Sequence, residues 1–131
     1  MIYREDTVQI QIANYLRQMG YLFTATNGGV YVKSVAMRTR LKRMGYLKGC
    51  PDMIVWIPGG TLCIEVKRPT VMNYSIKSQR NIIADAGGRQ SEDQKAFENN
   101  VKKIGGHHYI IASDLGQVVE YIRYKKIKPI G

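Results

Sequence analysis

The chain has 131 residues and a formal net charge of +10, from 20 basic and 10 acidic side chains. This length suits one domain and is too short for two, and a hydrophobic fraction of 44% argues against extensive disorder. Two cysteines are too few for a disulfide framework or a cysteine-based zinc site, so we expect both to remain thiols. The excess of positive charge favours a polyanionic partner such as nucleic acid over a surface that is basic only for solubility.

No repeat or low-complexity linker divides the chain, so residues 1–131 are expected to form a single domain. The N-terminal sequence lacks the apolar region of a secretory signal, and the longest apolar run, residues 53–57, is far shorter than a membrane span. We therefore expect a soluble protein of the cytoplasm that has no membrane partner and no small-molecule cofactor.

The chain begins with a helical pattern followed by an extended one. Apolar side chains recur at helical spacing over residues 5–19, which predicts an amphipathic helix that ends at Gly20. Residues 21–26 suit a short strand and residues 27–29, Asn-Gly-Gly, a turn, after which residues 30–33 continue extended.

A second helix is predicted over residues 35–44, with Ser34 as its N-cap. Its basic side chains, together with a lysine in the following loop, form a candidate surface for phosphate contacts, although such charges also suit a solvated helix face. The residues concerned are Arg38, Arg40, Lys42, Arg43 and Lys48.

The clearest pattern is a β-hairpin. Residues 53–57 are apolar throughout, which predicts a strand buried on both faces with Trp56 in the core. A Pro-Gly-Gly turn at 58–60 leads into residues 61–67, where Leu, Ile and Val alternate with Cys, Glu and Lys.

The second half of the chain is predicted to end in a helix, a strand and a helix. Residues 75–86 suit either a helix or an ordered loop, and Ser91 opens a helix with a capping-box pattern. A strand is expected over residues 109–112 and a last helix after Asp114, followed by a frayed basic tail at 123–128. This order predicts a mixed α/β domain with helices on the faces of a central sheet.

The hairpin brings charged side chains together. If 58–60 is the turn, the numbers of paired residues sum to about 117–119, and Asp52 lies opposite Glu65, Val66 or Lys67. Two carboxylates and an amine then meet at the end of two apolar strands, where unpaired like charges are costly. A hard divalent cation such as Mg²⁺ between the carboxylates would remove that cost.

Such a site suits hydrolysis of a phosphodiester. One or two cations would polarise the phosphate and activate a water molecule, and Lys67 could orient that water or stabilise charge in the transition state. A surface ion pair between Lys67 and either Asp52 or Glu65 is the simpler alternative for each residue taken alone.

The order of these residues resembles a known nuclease family. Pro51-Asp52 followed by Glu65-Val66-Lys67 looks like the PD-(D/E)xK nuclease motif, and the wider order resembles the VRR-NUC (virus-type replication-repair nuclease) family over most of the chain. The residues that carry this wider resemblance are Glu5, Gln9, Asn27-Gly28-Gly29, Gly45, Gly49, Pro51-Asp52, Glu65, Lys67, Ser91 and Gln94.

The resemblance implies a restriction-endonuclease-like fold, in which helices flank a mixed sheet. It further implies a Mg²⁺- or Mn²⁺-dependent endonuclease of the stand-alone phage type, a homodimer that cuts branched DNA such as Holliday junctions. Residues 70–89 are longer than the family leads us to expect and are interpreted as a possible insertion.

The resemblance also assigns roles within the site. It implies that Glu5 joins Asp52, Glu65 and the backbone carbonyl of Val66 as metal ligands, and that Gln94 serves catalysis by holding the water, Lys67 or a phosphate. Without it, Glu5 is a favourable charge at a helix N-terminus and Gln94 completes a capping box.

Three other functions stay open at this stage. A nuclease of flaps or single-stranded ends, a nuclease without structural preference and a DNA-binding module without catalysis all fit the charge of the chain. Adjacent His107 and His108 point to opposite faces of an extended segment and are not expected to share a metal ion.

Overall fold

A computed structural model describes residues 5–26, 34–69, 71–75, 80–85 and 88–131. The predicted turn at 27–29 and the extended segment at 30–33 lie outside these ranges. Within them the elements are α1 (Glu5–Gln18), β1 (Leu22–Ala25), α2 (Val35–Arg43), β2 (Met53–Ile57), β3 (Gly60–Val66), β4 (Val71–Ser75), β5 (Arg80–Asp85), α3 (Glu92–Lys102), β6 (His107–Ala112) and α4 (Leu115–Lys125). In this part of the chain, no helix has the length and apolar character needed to cross a bilayer.

Four strands form the central sheet, in the order β1-β2-β3-β6. The pairs β1–β2 and β2–β3 are antiparallel, whereas β3 and β6 are parallel. Met53 pairs with Ile64, so paired residue numbers sum to 117, which lies within the predicted range for the hairpin. The predicted mixed α/β architecture is therefore confirmed.

One face of the sheet carries the hydrophobic core. Helices α1 and α4 contact the sheet and each other, because each presents apolar residues at helical spacing toward it. Every second residue of the strands points toward these two helices, because side chains alternate between the two faces of a sheet. The buried side chains on this face include Val8, Ile12, Leu16, Met53, Val55, Leu62, Ile64, Val66, Val118 and Ile122.

The opposite face of the sheet is only partly covered, which corrects the prediction for Trp56. That side chain is 39% exposed, and its strand partner Leu22 is 62% exposed. Helix α3 contacts β6 at the other side of the sheet, so it lies over β6 rather than over β1 and β2. Strand β2 is therefore fully buried on one face, and Trp56 is not a core residue.

The segment that was expected to be a helix or loop over residues 75–86 contains strand structure, so that prediction is wrong. Strands β4 and β5 pair antiparallel in a separate two-stranded sheet, with an irregular register between Val71 and Met72. Apolar and β-branched residues in both strands, such as Val71, Ile82 and Ile83, suit a pleated pair when a partner strand follows within a few residues.

The basic tail is also more ordered than predicted. Lys126 adopts a left-handed conformation (φ 54°) that ends α4 and turns the chain back. Ile127 then packs against the core, and its carbonyl accepts a hydrogen bond from the Tyr21 hydroxyl at 3.1 Å. These contacts hold the start of the tail, so the predicted fraying from Arg123 onward is wrong.

Candidate active site

Asp52 is fixed immediately before β2 by bonds on both sides. Its Oδ2 accepts a 2.7 Å hydrogen bond from the backbone N–H of Val66, and its own carbonyl accepts a 2.9 Å bond from the N–H of Thr26. The first bond ties the carboxylate to the end of β3, as the register of the hairpin predicts. Asp52 therefore lies beside the Glu65-Val66-Lys67 segment on a rigid pair of strands.

Glu65 is the one polar residue among the described residues that is fully buried, with 0% of its surface exposed. Its Oε1 accepts a hydrogen bond from the hydroxyl of Tyr109, whereas its Oε2 is buried and has no hydrogen-bond partner. A buried polar atom without a partner costs roughly 1–3 kcal/mol, and more for a charged group. A cation bound at this oxygen would remove that cost.

Burial raises the pKa of both carboxyl groups. For Asp52, the hydrogen bond from Val66 opposes the rise, the nearby Glu5 adds to it and Lys67 opposes it. For Glu65, the bond from Tyr109, the Lys67 ammonium and the Gln90 amide each oppose the rise, while Asp52 adds to it. The two acids, Glu5 and Lys67 thus form one electrostatic group, in which removal from water is the dominant effect.

Glu5 and Lys67 also meet around Gly88. A Cβ atom at Gly88 would lie 3.0 Å from Glu5 Oε1 and 3.2 Å from Lys67 Cδ. The backbone N–H of Gly88 bonds to the carbonyl of Arg68 at 2.9 Å, which holds the glycine against the end of β3. The structure therefore brings the start of α1 to the acid and lysine cluster, which was expected only from the family resemblance.

The residues present suit a hard divalent cation. Within the described ranges, no three side chains of the His, Cys, Asp or Glu type form a group that could hold a metal by themselves. Mg²⁺, however, is typically bound through one or two carboxylates, with waters and phosphate oxygens completing its shell. The unpartnered Oε2 of Glu65 beside Asp52 fits that pattern, and a backbone carbonyl such as that of Val66 is a further oxygen donor of the right kind.

Gln94 caps α3. Its Oε1 accepts a 2.8 Å bond from the N–H of Ser91, and its own N–H donates to Ser91 Oγ at 3.2 Å, so the predicted capping box is confirmed. This use leaves the N–H₂ group of Gln94 outside the capping box. Glycine is required next to this cap: Gly49 has φ +88°, and a Cβ there would lie 2.8 Å from the backbone nitrogen of Gln94. The loop before Asp52 is thereby packed against the start of α3.

The basic side chains predicted to contact DNA lie on the surface. Helix α2 is capped by Ser34, as predicted, and has no buried residue. Lys48 makes a 3.4 Å ion pair with Asp93, in which both side chains are largely exposed. The helix positions concerned, all exposed, are Arg38, Arg40, Lys42 and Arg43.

The two adjacent histidines have separate partners. Nδ1 of His107 lies 2.7 Å from Thr61 Oγ1, and Nδ1 of His108 lies 2.8 Å from the Tyr121 hydroxyl of α4. They therefore face opposite sides of β6, as the alternation of a strand requires.

Sequence reasoning missed two residues that act on Glu65, namely Tyr109 and Gln90. Tyr109 pairs with Cys63 in the parallel register, so its side chain shares a face with Glu65, two residues further along β3. Burial and the hydrogen bond to Glu65 raise the pKa of the Tyr109 hydroxyl well above its usual value. Gln90 acts on both side chains in the opposite sense. The contact between Tyr109 and Glu65 follows from the pairing register of β3 and β6. The spacing of residues along the sequence does not determine that register.

Comparison with known proteins bears on the fold. No protein-family model matches the chain, and neither does any curated protein sequence. A solved structure described as a "VRR_NUC domain protein" matches with a TM-score of 0.65 and 21% sequence identity, covering 98% of this chain and 93% of that one. The chain thus shares the fold of a VRR_NUC domain protein over nearly its whole length, which agrees with the α/β fold that the resemblance implied. A shared fold at this identity leaves the activity to be argued from the site.

Proposed function

From the shared fold and the acid and lysine cluster, we propose that the chain is a divalent-metal-dependent nuclease that hydrolyses phosphodiester bonds in DNA. The observation that carries this proposal is the buried Glu65 carboxylate, whose Oε2 has no partner, at the hairpin end that also holds Asp52 and Lys67. A purely structural ion pair would satisfy both oxygens with protein donors. An oxygen left open beside a second acid suits a cation bound together with its substrate.

Each residue has a separate part in the proposed reaction. Asp52, Glu65, Glu5 and the Val66 carbonyl would hold Mg²⁺ or Mn²⁺, one ion or two, which supplies Lewis-acid polarisation of the phosphate. Asp52 is oriented for this by its bond from Val66. Lys67, the first residue after β3, would place its ammonium near the attacking water or the phosphate oxygens. The N–H₂ group of Gln94 is proposed as a further donor to the water, Lys67 or the phosphate.

Helix α2 and Lys48 are proposed to contact the DNA backbone. Replacing Arg38 and Lys42, which are exposed and four residues apart, by glutamine is expected to weaken binding of all DNA sequences alike. The logarithm of the DNA association constant falls with the logarithm of salt concentration, with a slope of about −0.9 for each phosphate contact. Loss of two contacts should therefore make this slope less steep by about 2. Fluorescence anisotropy at several salt concentrations measures this slope.

A matched control removes the same charge from the opposite side of the sheet. Arg123 and Lys125 lie on α4, whose buried face packs on the core side of the sheet, away from Glu65. The Arg123→Gln/Lys125→Gln variant is expected to keep the wild-type salt slope. Equal slopes in both double variants would show that general charge, rather than α2, determines binding.

A finer proposal is that the protein is a homodimer that resolves four-way junctions, because two symmetric cuts require two sites related by a two-fold axis. Two neighbouring exposed apolar side chains on the sheet offer a surface for a second copy: Leu22 is 62% exposed and its strand partner Trp56 39%. A mass of twice 14.9 kDa in solution is expected, and a single 14.9 kDa species at micromolar concentration would contradict the dimer.

Cleavage of labelled DNA in Mg²⁺, Mn²⁺ and EDTA tests the proposal. We expect paired symmetric nicks in a four-way junction, none in linear duplex and none in EDTA. Preferential cutting of flaps or ends would retain the nuclease and remove the resolvase. Tight, salt-sensitive binding without cutting under any metal would overturn the nuclease in favour of a DNA-binding module.

A further inference from the structure

We propose that Tyr109 is a positioning residue for the metal site, which holds the buried Glu65 carboxylate so that its second oxygen is presented to the cation. The inference rests on the proposed function and concerns a residue outside the acid and lysine cluster. Tyr109 lies on β6, whereas the two hairpin acids lie on or beside β2 and β3.

The two oxygens of the Glu65 carboxylate have different surroundings. The Tyr109 hydroxyl donates to Oε1, and both side chains are buried, with Tyr109 only 5% exposed. Oε2 has no hydrogen-bond partner. A phenol donates one proton, so it fixes one oxygen and leaves the other unsatisfied. The carboxylate is thereby held in one orientation before any cation arrives.

Contacts with α3 hold Tyr109 in turn. Its ring packs against Phe97, with the ring centroids 6.3 Å apart. Gln90 interacts with both Tyr109 and Glu65, and its Nε2 donates to Glu98 Oε1 at 3.0 Å. Glu98 is held in a 2.6 Å ion pair by Lys102, one turn further along α3. Helix α3 therefore supports Tyr109 directly through Phe97, and it supports the neighbouring Gln90 through Glu98 and Lys102.

Loss of the Tyr109 hydroxyl would remove the hydrogen bond that Oε1 of Glu65 accepts, and the carboxylate would keep only its smaller interactions with Lys67 and the Gln90 amide. The carboxylate would then rotate between equivalent orientations, and the cation would have to order it on binding. Residues that orient metal ligands through hydrogen bonds typically change metal affinity or activity by about 10–100-fold. We therefore expect Tyr109→Phe to weaken Mn²⁺ binding about tenfold or more, without changing the ligands themselves.

Tyr121→Phe is the matched control. It also removes one tyrosine hydroxyl, here from a half-buried side chain, and the hydrogen bond that is lost runs to His108 on the other face of β6. Calorimetric titration of DNA-free protein with Mn²⁺ gives the metal affinity of wild type and both variants. The Mn²⁺ concentration for half-maximal cleavage gives a second value, and thermal unfolding in EDTA reports any loss of folding. Gln90→Leu, which removes a neighbouring contact, serves as a second variant.

Weaker Mn²⁺ binding in Tyr109→Phe, a similar but smaller effect in Gln90→Leu and wild-type affinity in Tyr121→Phe would support the inference. Recovery of cleavage by Tyr109→Phe at high Mn²⁺ would support it further, since the ligands are intact. A lower unfolding temperature with unchanged Mn²⁺ affinity would overturn it, because Tyr109 would then be only structural. Failure of the wild-type protein to bind Mn²⁺ or cut DNA would instead overturn the proposed function.

Discussion

Replacing Asp52 by asparagine is expected to reduce DNA cleavage by about 10³-fold or more, because the carboxylate charge that would bind the cation is lost. Asparagine retains a side-chain carbonyl oxygen, which can still accept the 2.7 Å hydrogen bond from the Val66 N–H. The fold of the hairpin should therefore be preserved. Cleavage rates at saturating Mg²⁺, together with DNA binding in EDTA, measure the two effects separately.

Asp52→Ala provides the structural comparison, since it removes both the charge and the acceptor for Val66. It should lose cleavage to the same extent as Asp52→Asn and also lose stability, by roughly 1–3 kcal/mol for the unpaired backbone N–H. Asp6→Asn on the exposed first turn of α1 controls for loss of one negative charge. If Asp52→Asn cut DNA at the wild-type rate, Asp52 would be a hairpin anchor and the proposed site would be wrong.

Replacing Glu65 by glutamine is expected to abolish cleavage and to stabilise the metal-free protein. The wild-type carboxylate is fully buried, with one oxygen unpaired, so the charge opposes folding when no cation is present. Glutamine has nearly the same shape and carries no charge. A gain of roughly 1 kcal/mol would raise the unfolding temperature in EDTA by about 4 °C for a chain of this size.

The order of stabilities should reverse when metal is added. A cation that binds only the folded state stabilises wild type in proportion to the logarithm of its concentration, whereas Glu65→Gln has lost a ligand. Calorimetry in EDTA and in millimolar Mn²⁺ measures both orders. Glu120→Gln, at an exposed position in the middle of α4, is the control for loss of one carboxylate. A destabilised Glu65→Gln protein in EDTA would show that the carboxylate is bound by protein donors alone.

The hairpin could be predicted from sequence because its determinants are local. The turn at 58–60 sets the pairing, and alternation of side chains fixes which residues share a face. Asp52 and Glu65 are only thirteen positions apart, and a single turn between the two strands brings them together. The caps at Ser34, Ser91 and Asp114 were predictable for the same reason, since each acts on the next turn of its own helix.

The errors and omissions concern contacts between distant segments. Trp56 is a large aromatic residue in an apolar run, which is typical of the core. Only the position of α3 over β6 shows that the sheet face that carries Trp56 is partly open. Tyr109 can be identified as a partner of Glu65 only when the parallel register of β3 and β6 is known. Residues 75–86 were ambiguous because a short mixed run suits a strand as well as a helix until its partner strand is known.

The connection between β3 and β6 has a consequence for how the protein is made. Asp52 and Val66 are 14 positions apart, whereas Glu65 and Tyr109 are separated by 44. A ribosome adds roughly 5–20 residues per second, so Tyr109 is synthesised about 2–9 seconds after Glu65. The hairpin can form during that interval with its carboxylates still in water. Because Glu65 meets Tyr109 only when β6 joins the sheet, we expect the addition of this last strand to be the slow step of folding, and divalent cations in the cell to favour its completion.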